Sequence, residues 1–256
     1  MCKTIKAVTW NMRFVYNDGD GINNFIHRAG MVIEKIIKEK PDIITFQEIV
    51  PESYEMLKRM LPEYMILGHF KGEDYVSCGG MFTAIRKESY DLIALETFWV
   101  SPTPYKPGTR FENQSPVPRT CVMTQIRNKE SGEVIRVFDV HLDHISEDAR
   151  VLGMKCILNF VKEYNEKLDL PVIMMGDFNA TPDSETIELC KGRFNDVTDF
   201  LKKTFHGYDN ESEKIDYIFV SDDFNGRVED VGVWDDCLDG IYLSDHFPVY
   251  ANIKIC

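Results

Sequence analysis

The sequence predicts an α/β protein in which two β-sheets pack face to face and helices cover their outer sides. Strand-like and helix-like segments alternate near the start and again past the midpoint, with a long stretch of strand periodicity between them. Polar residues also break the apolar pattern at several strand ends, which would gather them along one edge.

Residues 4–10 (TIKAVTW) are β-branched and alternating, and read as the first strand. The turn-forming loop NDGDG follows, and then a helical stripe of Ile22, Phe25, Ile26, Ala29, Ile33, Ile36 and Ile37, which Pro41 stops. The buried run DIITF (42–46) completes a β-α-β start, and Glu52 to Leu61 reads as a shorter helix before Pro62. From Tyr64 to Ile126 the helical period disappears. GGMFTAIRK, DLIALETFWV and RTCVMTQI are predicted strands of a largely antiparallel sheet, and Gly79 and Gly80 suggest a bulge. The proline-rich loop 101–118 between two of them has a length usually associated with function or mobility. VIRVFDVHL (134–142) is a buried strand, and Ser146 with Glu147 and Asp148 is an N-cap followed by an acidic first turn. Val151, Met154, Leu158 and Val161 supply that helix's apolar face, after which PVIMMGDF, KIDYIFV, RVEDVGVW and FPVYANIKI are further strands.

The chain has 256 residues, enough to bury roughly 70 to 75% of its unfolded surface. No repeat or flexible linker divides it, so one domain over 1–256 is expected. A net charge of −13 argues against tight nonspecific binding of duplex DNA, which depends on Lys and Arg displacing counterions. It is compatible with a phosphate-bearing substrate held locally through a hard cation. No apolar run is long enough for a membrane span, and the start MCKTIKAV lacks the apolar core of a signal peptide. Cys2, Cys78, Cys121, Cys156, Cys190, Cys237 and Cys256 are odd in number and contain no C-x-x-C pair, which points to a reducing cytoplasm.

The strand-end residues carry the chemistry. They are Asn11 after VTW, Gln47 and Glu48 after IITF, His141 in FDVHLDH, Asp177 and Asn179 in GDFN, Asp216 in KIDYIF, and Asp245 and His246 in SDHFP. Singly, each could cap a turn. Together they form a set of metal-ligand and acid/base types at like positions.

In order and separation, TWNMR, QE, HLDH, GDFNATP, KIDYIF and SDHFPV resemble the endonuclease/exonuclease/phosphatase superfamily over essentially the whole chain. That group includes DNase I-like nucleases, deadenylases, sphingomyelinases and inositol polyphosphate phosphatases. The resemblance implies a four-layered α/β sandwich, hydrolysis of phosphate esters and dependence on Mg2+ or Mn2+. Hard-cation chemistry favours Glu48 as metal ligand, with Asn11 and Asp245 completing or orienting that shell. By correspondence with the family, Asp177 positions or deprotonates the attacking water, and Asn179 donates to a nonbridging oxygen or to the nucleophile. Asp216 is the expected partner of His246 in a general acid/base pair, and His141 is a second imidazole able to donate to the phosphoryl group. The segment GDFNATPDS is most similar to deadenylase-type and uncharacterised bacterial stand-alone members. The substrate stays open among nucleic acid, nucleotide, phospholipid and sugar phosphate.

Asp143 and His144 read as stabilising the following helix start, and His27 as a packing or surface residue. Arg119 and Tyr105 border the long loop and are candidates to face the cleft. The alternative function is a catalytically silent family member that binds a phosphorylated ligand or a protein.

Overall fold

The computed structural model describes residues 3–15, 18–72 and 79–255. Cys2, Asn17, Cys78 and Cys256 lie outside them. The four described cysteines, Cys121, Cys156, Cys190 and Cys237, are free thiols.

Two six-stranded sheets form the centre. The first half supplies β1 (Lys3–Asn11), α1 (Phe25–Glu39), β2 (Ile43–Ile49), α2 (Pro51–Met60), β3 (Tyr64–Phe70) and β4 (Gly80–Arg86). The second sheet begins with β5 (Tyr90–Trp99), β6 (Thr120–Asn128) and β7 (Val134–His141). After α3 (Glu147–Lys167) it adds β8 (Val172–Asp177), and after α4 (Glu185–Lys191) it adds β9 (Asn195–Asp196) and β10 (Asp216–Val220). The chain then returns to the first sheet through β11 (Val228–Val233) and, past the small hairpin β12 (Cys237–Leu238) and β13 (Ile241–Tyr242), through β14 (Val249–Ile255). The strand orders are β11-β14-β1-β2-β4-β3 and β5-β6-β7-β8-β10-β9. β1 and β2 run parallel, crossed over by α1, and β7 and β8 run parallel, crossed over by α3. The other pairings in both sheets are antiparallel.

Three apolar layers hold this stack together. Val8, Trp10, Ile44 and Phe46 face α1 and α2, and Phe138, Val140, Met174 and Phe219 face α3. Between the sheets lie Ile5, Ala7 and Ile43 against Ile135, Val137, Ile173, Met175 and Ile218. The result is the four-layered sandwich expected from the sequence. No helix among the described residues is long and apolar enough to cross a membrane.

The helix caps follow the sequence closely. Ser146 accepts the Ala149 N–H at the start of α3, and Lys40 ends α1 in the left-handed region immediately before Pro41. The α1 stripe is rotated from the expected one. Ile22, Ile26 and Ile37 are exposed, while Phe25, Arg28, Val32, Ile33 and Ile36 are buried. The cause is Arg28, whose buried guanidinium occupies the inner face and donates to the carbonyls of Asn23, Met12, Arg13 and Leu243.

Candidate active site

The inner faces of the central strands change character along their length. In β1 the inward positions run Ile5, Ala7, Thr9, Asn11, and in β2 they run Ile43, Thr45, Gln47. In β7 they run Ile135, Val137, Asp139, His141, and in β8 Ile173, Met175, Asp177. Side-chain alternation therefore delivers every polar terminus to the same end of the inter-sheet space. β10 runs antiparallel to β8 and brings in its first residue, Asp216, directly opposite Asp177. Asp245 and His246 precede β14, which runs antiparallel to β1, and so arrive at the same edge. Gln47 Nε2 bridges the sheets to Asp139 Oδ1 at 2.8 Å just beneath the site.

Glu48 reaches the site by another route. Alternation would turn it outward with Ile44 and Phe46, but the β2–β4 register slips between Phe46 and Ile49, and Glu48 adopts φ 62°. This bulge turns the carboxylate into the pocket, where Asn11 Nδ2 donates to Oε1 at 3.1 Å and the Phe14 N–H to Oε2 at 3.2 Å. Gly79 (φ 54°) lies against the bulge. A Cβ there would sit 2.9 Å from Glu48 Cα.

Asp177 is the hub of the constellation. Its Oδ2 accepts from Asn11 Nδ2 at 3.0 Å, and lies 3.5 Å from His141 Nε2 and 3.9 Å from His246 Nε2. Its Oδ1 accepts the Asn179 N–H at 2.9 Å. His246 Nδ1 donates to Asp216 Oδ2 at 2.9 Å, the expected pair. Burial disfavours the His246 imidazolium, but the charge and hydrogen bond of Asp216, aided by Asp177 and Asp245, push it up to about 10. Burial, reinforced by Asp216, raises the Asp177 carboxyl above the usual range, against the pull of His246 and Asn11.

Of the strand-end residues singled out in the sequence, Glu48, His141, Asp177, Asn179, Asp245 and His246 line one pocket of about 420 Å³, Asn11 and Asp216 stand directly behind Asp177 and His246, and Gln47 lies beneath, bonded to Asp139. Asn11 gives its amide hydrogens to Glu48 and Asp177, which orients these carboxylates, and its Oδ1 accepts the Arg13 N–H while keeping a second lone pair. Asn179 holds a left-handed backbone (φ 48°) and donates through Nδ2 to the Leu142 carbonyl.

Several expectations need correction. Asp143 does serve the start of α3, accepting the Ile145 and Ser146 N–H groups, but exposed His144 turns into the pocket. Alternation ends with β7 at His141, so parity no longer constrains it. Tyr105 points away and packs against Phe160, whereas Arg119 lies in the pocket with Nη1 2.9 Å from His141 Nε2 and Nη2 2.9 Å from His144 Nδ1. A guanidinium only donates, so His141 Nε2 accepts there, and the donor at that wall is Arg119. Sequence reasoning missed Arg13, which lines the pocket and pairs with Asp245 at 3.4 Å; its only signal is a charge two residues beyond a polar strand end. His27 is exposed.

Asp177, Asp216 and His246 lie within 4.8 Å of one another, close enough to hold an ion. The His246 Nδ1–Asp216 bond already commits two of those groups to a proton. Glu48 suits a hard cation better: its Oε1 accepts from Asn11 and its Oε2 from Phe14, and each oxygen has a second lone pair, in an open pocket where waters can complete the shell.

The human (Homo sapiens) tyrosyl-DNA phosphodiesterase 2 is 29% identical over 207 residues, which are 78% of this chain and 49% of that protein. The chain thus spans about half the length of that curated relative. A conserved protein of unknown function from Enterococcus faecalis superposes with a TM-score of 0.85 at 28% identity, covering 96% of this chain and 98% of its own. A mannosyl-6-phosphatase from Bacteroides thetaiotaomicron superposes with a TM-score of 0.86 at 25% identity, covering 98% and 100%. A family model for the Endonuclease/Exonuclease/phosphatase family matches residues 8–246, from the middle of β1 to the histidine paired with Asp216, and the chain belongs to that family.

Proposed function

We infer that the protein hydrolyses phosphate esters with the help of Mg2+ or Mn2+. The observation that carries this reading is the placing of buried Asp177 between an Asp-paired imidazole on one side and the Asn11–Glu48 pair on the other. The names of the similar proteins, a phosphodiesterase and a sugar phosphatase, support the phosphate-ester class.

A cation held by Glu48, with Asp245 near, would neutralise phosphate oxygens when bound. Asp177 takes a proton from the attacking water as its oxygen bonds to phosphorus, a task suited to a carboxyl raised toward neutral pH. The phosphorus–oxygen bond to the leaving group breaks as His246 gives that oxygen its Nε2 proton. Asp216 holds the Nδ1 proton, which fixes the ring with Nε2 toward Asp177. Asn179 and Asn11 restrain the Asp177 carboxylate from two directions.

The test is hydrolysis of p-nitrophenyl phosphate, bis-p-nitrophenyl phosphate, single-stranded RNA, duplex DNA and phospholipid, each with Mg2+, Mn2+ or EDTA. Metal-dependent turnover should fall by about 10³-fold or more in Asp177→Asn. Undiminished turnover in EDTA, or in that variant, overturns the reading.

A further inference from the structure

The carboxylates of the site differ in what neutralises them. Asp216 and Asp177 share His246, at 2.9 and 3.9 Å. Asp245 has Arg13, whose Nη1 lies 3.4 Å from its Oδ2. Glu48 has no such partner: among the described residues it forms no ion pair, and the groups that donate to it, Asn11 Nδ2 and the Phe14 N–H, are neutral.

Arg13 is held firmly in place. Its Nε and Nη2 donate to the two oxygens of buried Asp20 at 3.3 and 3.2 Å, a fork that leaves Nη1 toward Asp245. Tyr208 Oη donates to Asp20 Oδ2 in turn, at 3.4 Å. The Arg13 backbone is fastened as well: its N–H donates to Asn11 Oδ1, and its carbonyl accepts from buried Arg28. Burial works against the charge on the Arg13 guanidinium, and Asp245, Asp20 and Glu48 outweigh it, Glu48 acting at longer range without an ion pair. A guanidinium keeps its proton throughout the pH range of a folded protein, so the counter-charge at Asp245 is permanent.

Two-metal hydrolases clamp phosphate between ions about 3.5–4 Å apart, and hard cations draw their ligands from carboxylates and waters. Here Asp245, the carboxylate that could serve a second ion beside Glu48, faces a fixed cation instead. Glu213 also lines the pocket but is exposed to solvent. We propose that Arg13 stands in for a second metal ion: it neutralises Asp245 from within the chain, so that the pocket takes one divalent cation, at Glu48, and Asp245 is not a ligand to it. The proposal rests on the metal-dependent reading above and deepens it by fixing how many ions the site holds.

The experiment is calorimetric titration of Mn2+, up to about 1 mM, into the metal-free protein. It is run in about 0.15 M salt to screen exposed carboxylates, with the EPR signal of unbound Mn2+ as a second count. Wild type should take one ion. Arg13→Gln should take two, because Asp20 and Asp245 then lack a counter-charge, whereas Arg13→Lys, which keeps the charge, should still take one. Asp245→Asn should also take one, and Glu48→Gln none. Two ions in wild type or in Arg13→Lys overturn the proposal, as do a single ion in Arg13→Gln, loss of the ion in Asp245→Asn or its retention in Glu48→Gln. If Arg13→Gln does not fold, the counts for wild type, Asp245→Asn and Glu48→Gln decide. No ion bound by wild type overturns the metal-dependent reading itself, a different failure, and turnover enters neither count.

Discussion

The two β-α-β units of the molecule make the same object in two different ways. β1–α1–β2 and β7–α3–β8 are both parallel pairs crossed over by a helix, and both end in polar residues at the pocket. In the second unit ordinary strand geometry suffices: His141 pairs with Asp177, Asp216 faces Asp177 across the next ladder, and alternation points all three inward. In the first unit it does not suffice. Arg13 (φ 55°) and Glu48 (φ 62°) both hold left-handed backbone, and Glu48 reaches the pocket only through a bulge that Gly79 accommodates. The Asp177–His246 side of the site rests on register, and the Glu48 side rests on backbone strain that the surrounding fold must maintain.

Glycine substitutions separate these two modes most sharply. Gly176 in β8 approaches β7 so closely that an added Cβ would lie 1.9 Å from the Val140 carbonyl oxygen. Gly176→Ala should therefore split the parallel pair and cost about 4 kcal/mol or more, read as a lost or early unfolding transition in urea. Gly79→Ala meets Phe14 and the Glu48 backbone at 2.8 and 2.9 Å with φ 54°, and should cost about 1–3 kcal/mol. Its signature should be a raised metal requirement with rate largely restored at saturating metal. If both variants showed the same profile, the division between register and strain would be wrong.

A smaller effect comes from pH. His246 is raised in the folded protein from 6.5 to about 10, so the folded state binds more protons than the unfolded state between those values. Its contribution is complete below about pH 6.5 and declines as pH rises toward 10. Urea unfolding in EDTA should show wild type losing stability from about pH 7 to 10 more steeply than His246→Gln; parallel curves would sever the Asp216 pairing from stability. The smallest expected effect is Ser146→Ala. Losing the N-cap bond to Ala149 should cost about 1 kcal/mol and leave kcat unchanged, which marks α3 as a support for the second unit and not a part of its chemistry.

How far the sequence could be read follows the same division. The sandwich, both crossover helices, the Ser146 cap and the inward parity of Asn11, His141, Asp177 and Asp216 all follow from periodicity and capping, which are local and visible along the chain. Glu48 defies parity, and only the chemistry of a carboxylate beside the other strand ends, together with the family resemblance, singled it out. His144 and Arg13 were not legible because each lies in a loop just past a strand, where no period constrains direction. The misplaced α1 stripe has a related cause. A helical wheel weighs hydrophobicity, whereas Arg28 takes the inner face through four carbonyl partners that are not local in sequence.

That buried guanidinium has a consequence for the order in which the protein can be assembled. Arg28 joins the carbonyls of Met12 and Arg13 to that of Leu243, and β1 lies in its sheet between β2 and β14. The loop that follows Asn11 is thus fastened to a stretch made more than two hundred residues later. On a ribosome, the Glu48 side of the pocket waits for the closing strand, and until β14 is delivered β1 presents a bare edge to its neighbours.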